Sequence, residues 1–233
     1  MDFRETLRSN LAAVRARIAA ACASVRRDPA AVTLIAVTKA VDAAATQALI
    51  ELGVRDIGEN RQQDAAAKFP LVPALAGAAK PKLHFIGPLQ RNKVRRVLEV
   101  FDVIHSVDSL RLAEEIDKRA AELGREVPSF LEVNVAREAR KHGFDPGEVH
   151  AALDQLAAKC PRLKVLGLMC MAPLHPDPEK ARPHFRRMRE LARGGALSMG
   201  MSGDFEVAVE EGATHVRVGT ALLKGFRSTD GHR

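Results

Sequence analysis

The stretch AVTLIAVTKAVDAAATQALIELGV, residues 31–54, decides the fold. Its first half is a short run of apolar and β-branched residues without polar alternation, the pattern of a strand covered on both faces. The run stops at Thr38 and Lys39. From Ala43 onward apolar residues recur at helical spacing until Gly53, a natural helix C-terminal cap. A strand buried on both faces and followed directly by a helix is one unit of a parallel sheet.

The unit recurs along the chain. RDIGEN leads into a helix from about Arg61, LHFIGPL into QRNKVRRVLEVF, and VIHSVD into LRLAEEIDKRAAELG. PSFLEVNV is followed by PGEVHAALDQLAAKC, KVLGLMCM by PEKARPHFRRMRELARG, ALSMGMS by DFEVAVEEGA, and HVRVGT by a final short helix. Eight such units in 233 residues predict an α/β fold, a closed (β/α)8 barrel of the TIM type. The competing architecture is an open doubly wound sheet, but the GxGxxG that usually follows its first strand is absent. Ahead of the first strand, Leu7, Leu11, Val14 and Ile18 stand at helical spacing among arginines and predict an extra N-terminal amphipathic helix. The length suits one core, so residues 1–233 are expected to form a single domain.

Lys and Arg number 36 against 29 Asp and Glu, a formal charge of +7. The basic residues are scattered, and only 4% of residues are aromatic, with no Trp and no Tyr. This argues against nucleic-acid binding, which needs a basic stripe and stacking platforms. The three cysteines, Cys22, Cys160 and Cys170, are odd in number and widely spaced, as expected of a cytoplasmic protein without a disulfide framework. No apolar run reaches the roughly 20 residues of a membrane span, and the N-terminus lacks the apolar core of a signal peptide. His84, His105, His175 and Cys170 do not match zinc spacing, so no metal site is expected.

In a barrel of this type functional residues sit at the C-terminal ends of the strands, and phosphate commonly binds after strands seven and eight. Lys39 falls after strand one, Glu59 and Asn60 after strand two, Ser198 and Ser202 at the end of strand seven, and Arg217, Gly219 and Thr220 at the end of strand eight. Arg217 lies between two valines of a buried strand. A guanidinium there without a partner costs several kcal/mol, so an anionic or electron-rich partner is expected. Barrel closure pairs strand eight with strand one and brings RVGT beside Lys39. A partly desolvated lysine at the barrel mouth can form a Schiff base; taken alone, it reads first as a solvated lysine opening a helix. Gly219 admits close backbone approach, and Thr220 and Ser198 offer hydroxyl donors. Pyridoxal 5'-phosphate asks for all three features: an amine for its aldehyde, a cradle for its phosphate and a partner for its ring nitrogen. A phosphate-binding barrel enzyme without a covalent cofactor is the alternative that these residues leave open.

The segments AVTK, IGEN, HFIGPLQRNK, KHGF, GLMCM and LSMGMSGDFEVAVEEGATHVRVGTAL resemble, in order, the signature segments of the pyridoxal phosphate homeostasis protein family. The resemblance runs from about Val32 to about Leu222. It implies a fold type III barrel of the alanine-racemase type that takes part in intracellular vitamin B6 homeostasis without established catalytic turnover. It further implies pyridoxal phosphate as a Schiff base on Lys39, with Asn60 near the ring and Arg217 facing the ring nitrogen. Ser198, Gly219 and Thr220 are implied at the phosphate, and apo pyridoxal-dependent enzymes as candidate recipients from a monomer or weak dimer. An arginine at the ring nitrogen disfavours its protonation and weakens the electron sink that most pyridoxal enzymes use. An amino-acid racemase is the alternative function. The racemase resemblance implies a partner subunit's tyrosine and a C-terminal β domain, whereas this sequence has no tyrosine and no such β domain is expected of it. LLKG departs from the family after VGTA, which adds Lys224 near the phosphate end, and Lys141 in RKHGF is a candidate secondary amine.

Overall fold

The structure, a computed structural model, describes residues 3–76, 80–138 and 142–226. Strands β1 (Thr33–Val37), β2 (Asp56–Glu59), β3 (Lys82–Phe85), β4 (Val103–Val107), β5 (Val127–Glu132), β6 (Leu163–Met169), β7 (Ala196–Ser198) and β8 (His215–Val218) follow one another around a closed parallel barrel. Closure is made by β8 on β1, with Thr33 opposite His215 and Ala36 opposite Val218.

Helices α1 (Phe3–Ser24), α2 (Ala43–Glu51), α3 (Gln62–Lys68), α4 (Val94–Leu98), α5 (Leu110–Glu122), α6 (Val149–Lys159), α7 (Arg182–Ala192) and α8 (Phe205–Glu210) complete the described fold. Local signals start them. The Asp42 carboxylate accepts from the Ala45 amide at 2.9 Å and caps α2, and the Ser109 hydroxyl caps α5 through the Leu112 amide at 3.3 Å. The principal apolar core lies between strands and helices, with Ala36, Ile57 and Val216 from the sheet and Leu49, Phe101 and Phe205 from the surrounding layer.

The N-terminal helix follows its sequence pattern, burying Leu7, Leu11, Val14 and Ile18. It lies along α8, where Arg17 bonds Glu206 at 2.5 Å and sits 4.5 Å over the Phe205 ring. It also ties down the end of the barrel. The Asn10 amide donates to the carbonyls of Leu222 and Lys224, each at 2.9 Å.

The expected final helix is not formed. After Val218 the chain runs through hydrogen-bonded turns over residues 220–225, in which the Leu223 amide reaches the Gly219 carbonyl at 3.0 Å. Two of the carbonyls a helix would direct onward are instead taken by Asn10, and Gly225 adopts φ +92°. No described helix is long and apolar enough to cross a membrane.

Phe101 is fully buried and meets Phe69 and Phe85 edge-on, with centroids at 6.1 and 5.2 Å. Phe101→Ala is expected to lower stability by about 4 kcal/mol, read as a shift of the urea unfolding midpoint at unchanged slope.

Candidate cofactor site

Lys39 stands two residues beyond the end of β1, in a turn, with its side chain exposed. Sequence pattern predicts partial desolvation there; the residue is instead exposed. Its backbone is fixed from below. Thr38 is fully buried, and its hydroxyl donates to Glu59 Oε1 at 2.7 Å. Lys68, from the end of α3, donates to the carbonyls of Thr38 at 2.7 Å and Val41 at 3.3 Å and pairs with Glu59. One cation therefore holds the turn that carries Lys39. Lys68 is absent from the sequence expectations, because on its own helix it reads as an ordinary last-turn lysine.

Asn60 is half-buried at the end of β2 and lines an open cavity of about 640 Å³ with Arg61, Phe85, Gln90 and Lys93. The HFIGPL loop packs directly on it. A β-carbon at Gly87 would lie 2.1 Å from the Asn60 carbonyl oxygen, so only glycine fits.

Arg217 and Ser198 lie deeper. Arg217 is 5% exposed, and its guanidinium donates to Ser198 Oγ at 2.7 Å and to the Cys170 carbonyl at 2.9 Å. Burial draws its pKa below the usual arginine range. Ser198 is fully buried, whereas Thr220 is exposed. The Ser198 hydroxyl also meets His105 Nδ1 at 2.8 Å. His105 Nε2 meets His84 Nδ1 at 2.8 Å, and His84 Nε2 meets Asp56 Oδ1 at 3.0 Å. Burial, then the nearby His84 and Arg217, hold His105 well below the ordinary histidine range. The Cys170 thiol is pushed up to about 12, foremost by burial, so it is no nucleophile near neutral pH.

The remaining sequence-predicted residues gather at the rim. Gly219 lies against β1, where an added β-carbon would stand 3.3 Å from Val37 Cβ, two residues before Lys39. Ser202 Oγ accepts from the amides of Gly219 at 3.3 Å and Ala221 at 3.2 Å. Its own proton is thereby left to donate elsewhere. Ser202 thus bonds the turn that carries Gly219 and Thr220; the repeat of serine in SMGMS is the sequence signal for it. Lys224 is exposed, and Lys141 lies outside the described residues. Among the described residues no cluster of three metal-ligating side chains occurs.

The family model for the alanine racemase N-terminal domain matches residues 9–225. A curated relative from Pseudomonas aeruginosa, named pyridoxal phosphate homeostasis protein, is 41% identical over 225 residues, covering 94% of this chain and 95% of that protein. The chain belongs to the pyridoxal phosphate homeostasis protein family. A solved structure of PipY from Synechococcus elongatus with pyridoxal phosphate bound is 39% identical to this family member, with a TM-score of 0.74, covering 88% of this chain and 99% of that one. Alanine racemase from Corynebacterium glutamicum, at 15% identity and a TM-score of 0.70, shares the barrel fold over 98% of this chain and 63% of its own.

Two outcomes follow from this geometry. Gly87→Ala is expected to cost about 3 kcal/mol of stability, measured by urea unfolding, because the clash is with backbone that cannot yield cheaply. His215 is pushed down to about 4, foremost by burial and next by His84. Between about pH 6.5 and pH 4 the unfolded chain therefore binds a proton there that the folded chain does not. Stability falls on acidification through that window, by about 3 kcal/mol from this residue. His215→Gln flattens that part of a pH series of unfolding midpoints.

Proposed function

We propose that this protein binds pyridoxal 5'-phosphate covalently through Lys39 and serves the intracellular supply of that cofactor. The observation that supports the proposal is the pairing of β8 with β1, which brings the end of β1, two residues before the exposed Lys39, against Gly219, in a strand whose Arg217 is buried. The donor set fits the group: a primary amine for an aldehyde, and a hydroxyl and backbone turn for a phosphate. The guanidinium can only donate, which suits an unprotonated ring nitrogen. When bound, the cofactor supplies an aldehyde that condenses with amines and a ring that withdraws electrons.

The chain's own residues do the rest. Lys68 and Glu59 hold the Lys39 turn, and Asn60 borders the ring side of the site, kept in place by the Gly87 loop. Ser202 and Thr220 take the phosphate end, with Gly219 allowing close approach. Ser198 acts on the cofactor indirectly, as the acceptor that positions Arg217. A cytoplasmic location accords with three free, buried cysteines. Apo pyridoxal-dependent enzymes are the proposed recipients.

Pyridoxal phosphate added to the purified chain is expected to give a visible absorption band that Lys39→Ala abolishes and that Ser202→Ala titrates with about tenfold weaker affinity, the worth of one charge-assisted hydrogen bond. No band in the unaltered chain contradicts the proposal. Sustained exchange of an amino acid's α-proton in deuterated water, over many turnovers, favours the racemase instead.

A further inference from the structure

The barrel interior of this protein is crossed by an unbroken hydrogen-bonded chain. Asp56, His84, His105, Ser198 and Arg217 are linked in that order, from the opening of β2 to the upper end of β8. Barrels of this type are ordinarily filled by branched apolar side chains, so a polar line through the middle calls for a role. At its lower end Asp56 lines a cavity of about 240 Å³ at the opposite mouth, together with Lys82, His84, Lys164 and His215.

With both histidines neutral, the Asp56 end sets the direction of every bond up to Ser198. Arg217 has only donors, and an ionised Asp56 has only acceptors. A neutral His84 then carries its proton on Nε2, facing Asp56 at 3.0 Å, since the other neutral tautomer would set two lone pairs against each other. Its Nδ1 is then an acceptor, and His105 must donate to it from Nε2. That leaves His105 Nδ1 as an acceptor for the Ser198 hydroxyl proton. The Ser198 lone pairs are thereby turned to Arg217. The His105 ring has little freedom to leave this alignment, because it stacks on Phe130 at 4.5 Å and 24°.

We propose that Asp56, His84 and His105 are positioning residues that set, from the far mouth of the barrel, the hydroxyl direction of Ser198 and so hold Arg217 in place behind the Lys39 site. Its bearing on pyridoxal phosphate rests on the function proposed above; the direction of the chain does not.

Long-range ¹H–¹⁵N spectra of the full ¹⁵N-labelled chain near neutral pH report which nitrogen of each histidine is protonated. His84 and His105 are both expected as Nε2–H tautomers. Asp56→Ala, which removes an acceptor at the mouth of the barrel, is expected to shift His105 toward Nδ1–H and to weaken pyridoxal phosphate binding by about three- to tenfold, the worth of one displaced hydrogen bond. An Nδ1–H tautomer at His105 in the unaltered chain overturns the proposal. So does Asp56→Ala with unchanged tautomers, or with changed tautomers and an unchanged dissociation constant. If the unaltered chain takes up no pyridoxal phosphate, the cofactor assignment falls, and the tautomers alone decide whether the chain runs in this direction.

Discussion

The pairing of the last strand with the first is the constraint on which the rest depends. Four register pairs, Thr33 with His215 through Ala36 with Val218, close the barrel and join the first strand to the last. Without that ladder Lys39 and Gly219 share no surroundings. The ladder is also reinforced from outside. Arg27, just beyond α1, donates to the carbonyls of Val209 at 2.5 Å and Ala213 at 2.9 Å, and Asn10 secures the turns after β8. The extra N-terminal helix thus acts as a brace across the closure.

A second theme is the use of buried polar groups as framework. Removing a charge from water costs several kcal/mol unless other polar groups replace the water. Arg217 meets that cost inside the protein, through Ser198 and the Cys170 carbonyl. Lys68 and Glu59 do the same around Thr38. Both arrangements sit directly beneath the rim. These buried layers support the strand ends that carry the proposed cofactor groups, which suits the proposal that an exposed amine is kept in a defined place.

The fold was legible because each unit repeats two strong local signals: a short β-branched run and a capped apolar helix. The seam was legible too, since a count of eight parallel strands implies closure. Other features depend on contacts that no local pattern encodes. The turns after Val218 replace a helix because Asn10, more than 200 residues earlier, takes the carbonyls of Leu222 and Lys224. Ser198 and Ser202 are four residues apart in SMGMS, yet one bonds Arg217 within the barrel and the other meets the Gly219 amide at the rim. Lys39 was picked out by its place after a buried strand, but the turn that carries it is held by the Thr38–Glu59–Lys68 cluster, which ties the residue after β1 to β2 and α3. The histidines of β3 and β4 match no zinc spacing and carry no other local signal. Their alignment with Asp56 and Ser198 emerges only when the barrel is closed.

The central claim is that closure creates one covalent cofactor site at Lys39. Borohydride reduction of the protein saturated with pyridoxal phosphate, followed by peptide mapping, tests it most directly. The account predicts the reduced adduct, in one-to-one amount, on the peptide that contains Lys39. Stoichiometric labelling of another lysine with Lys39 unmodified would contradict it.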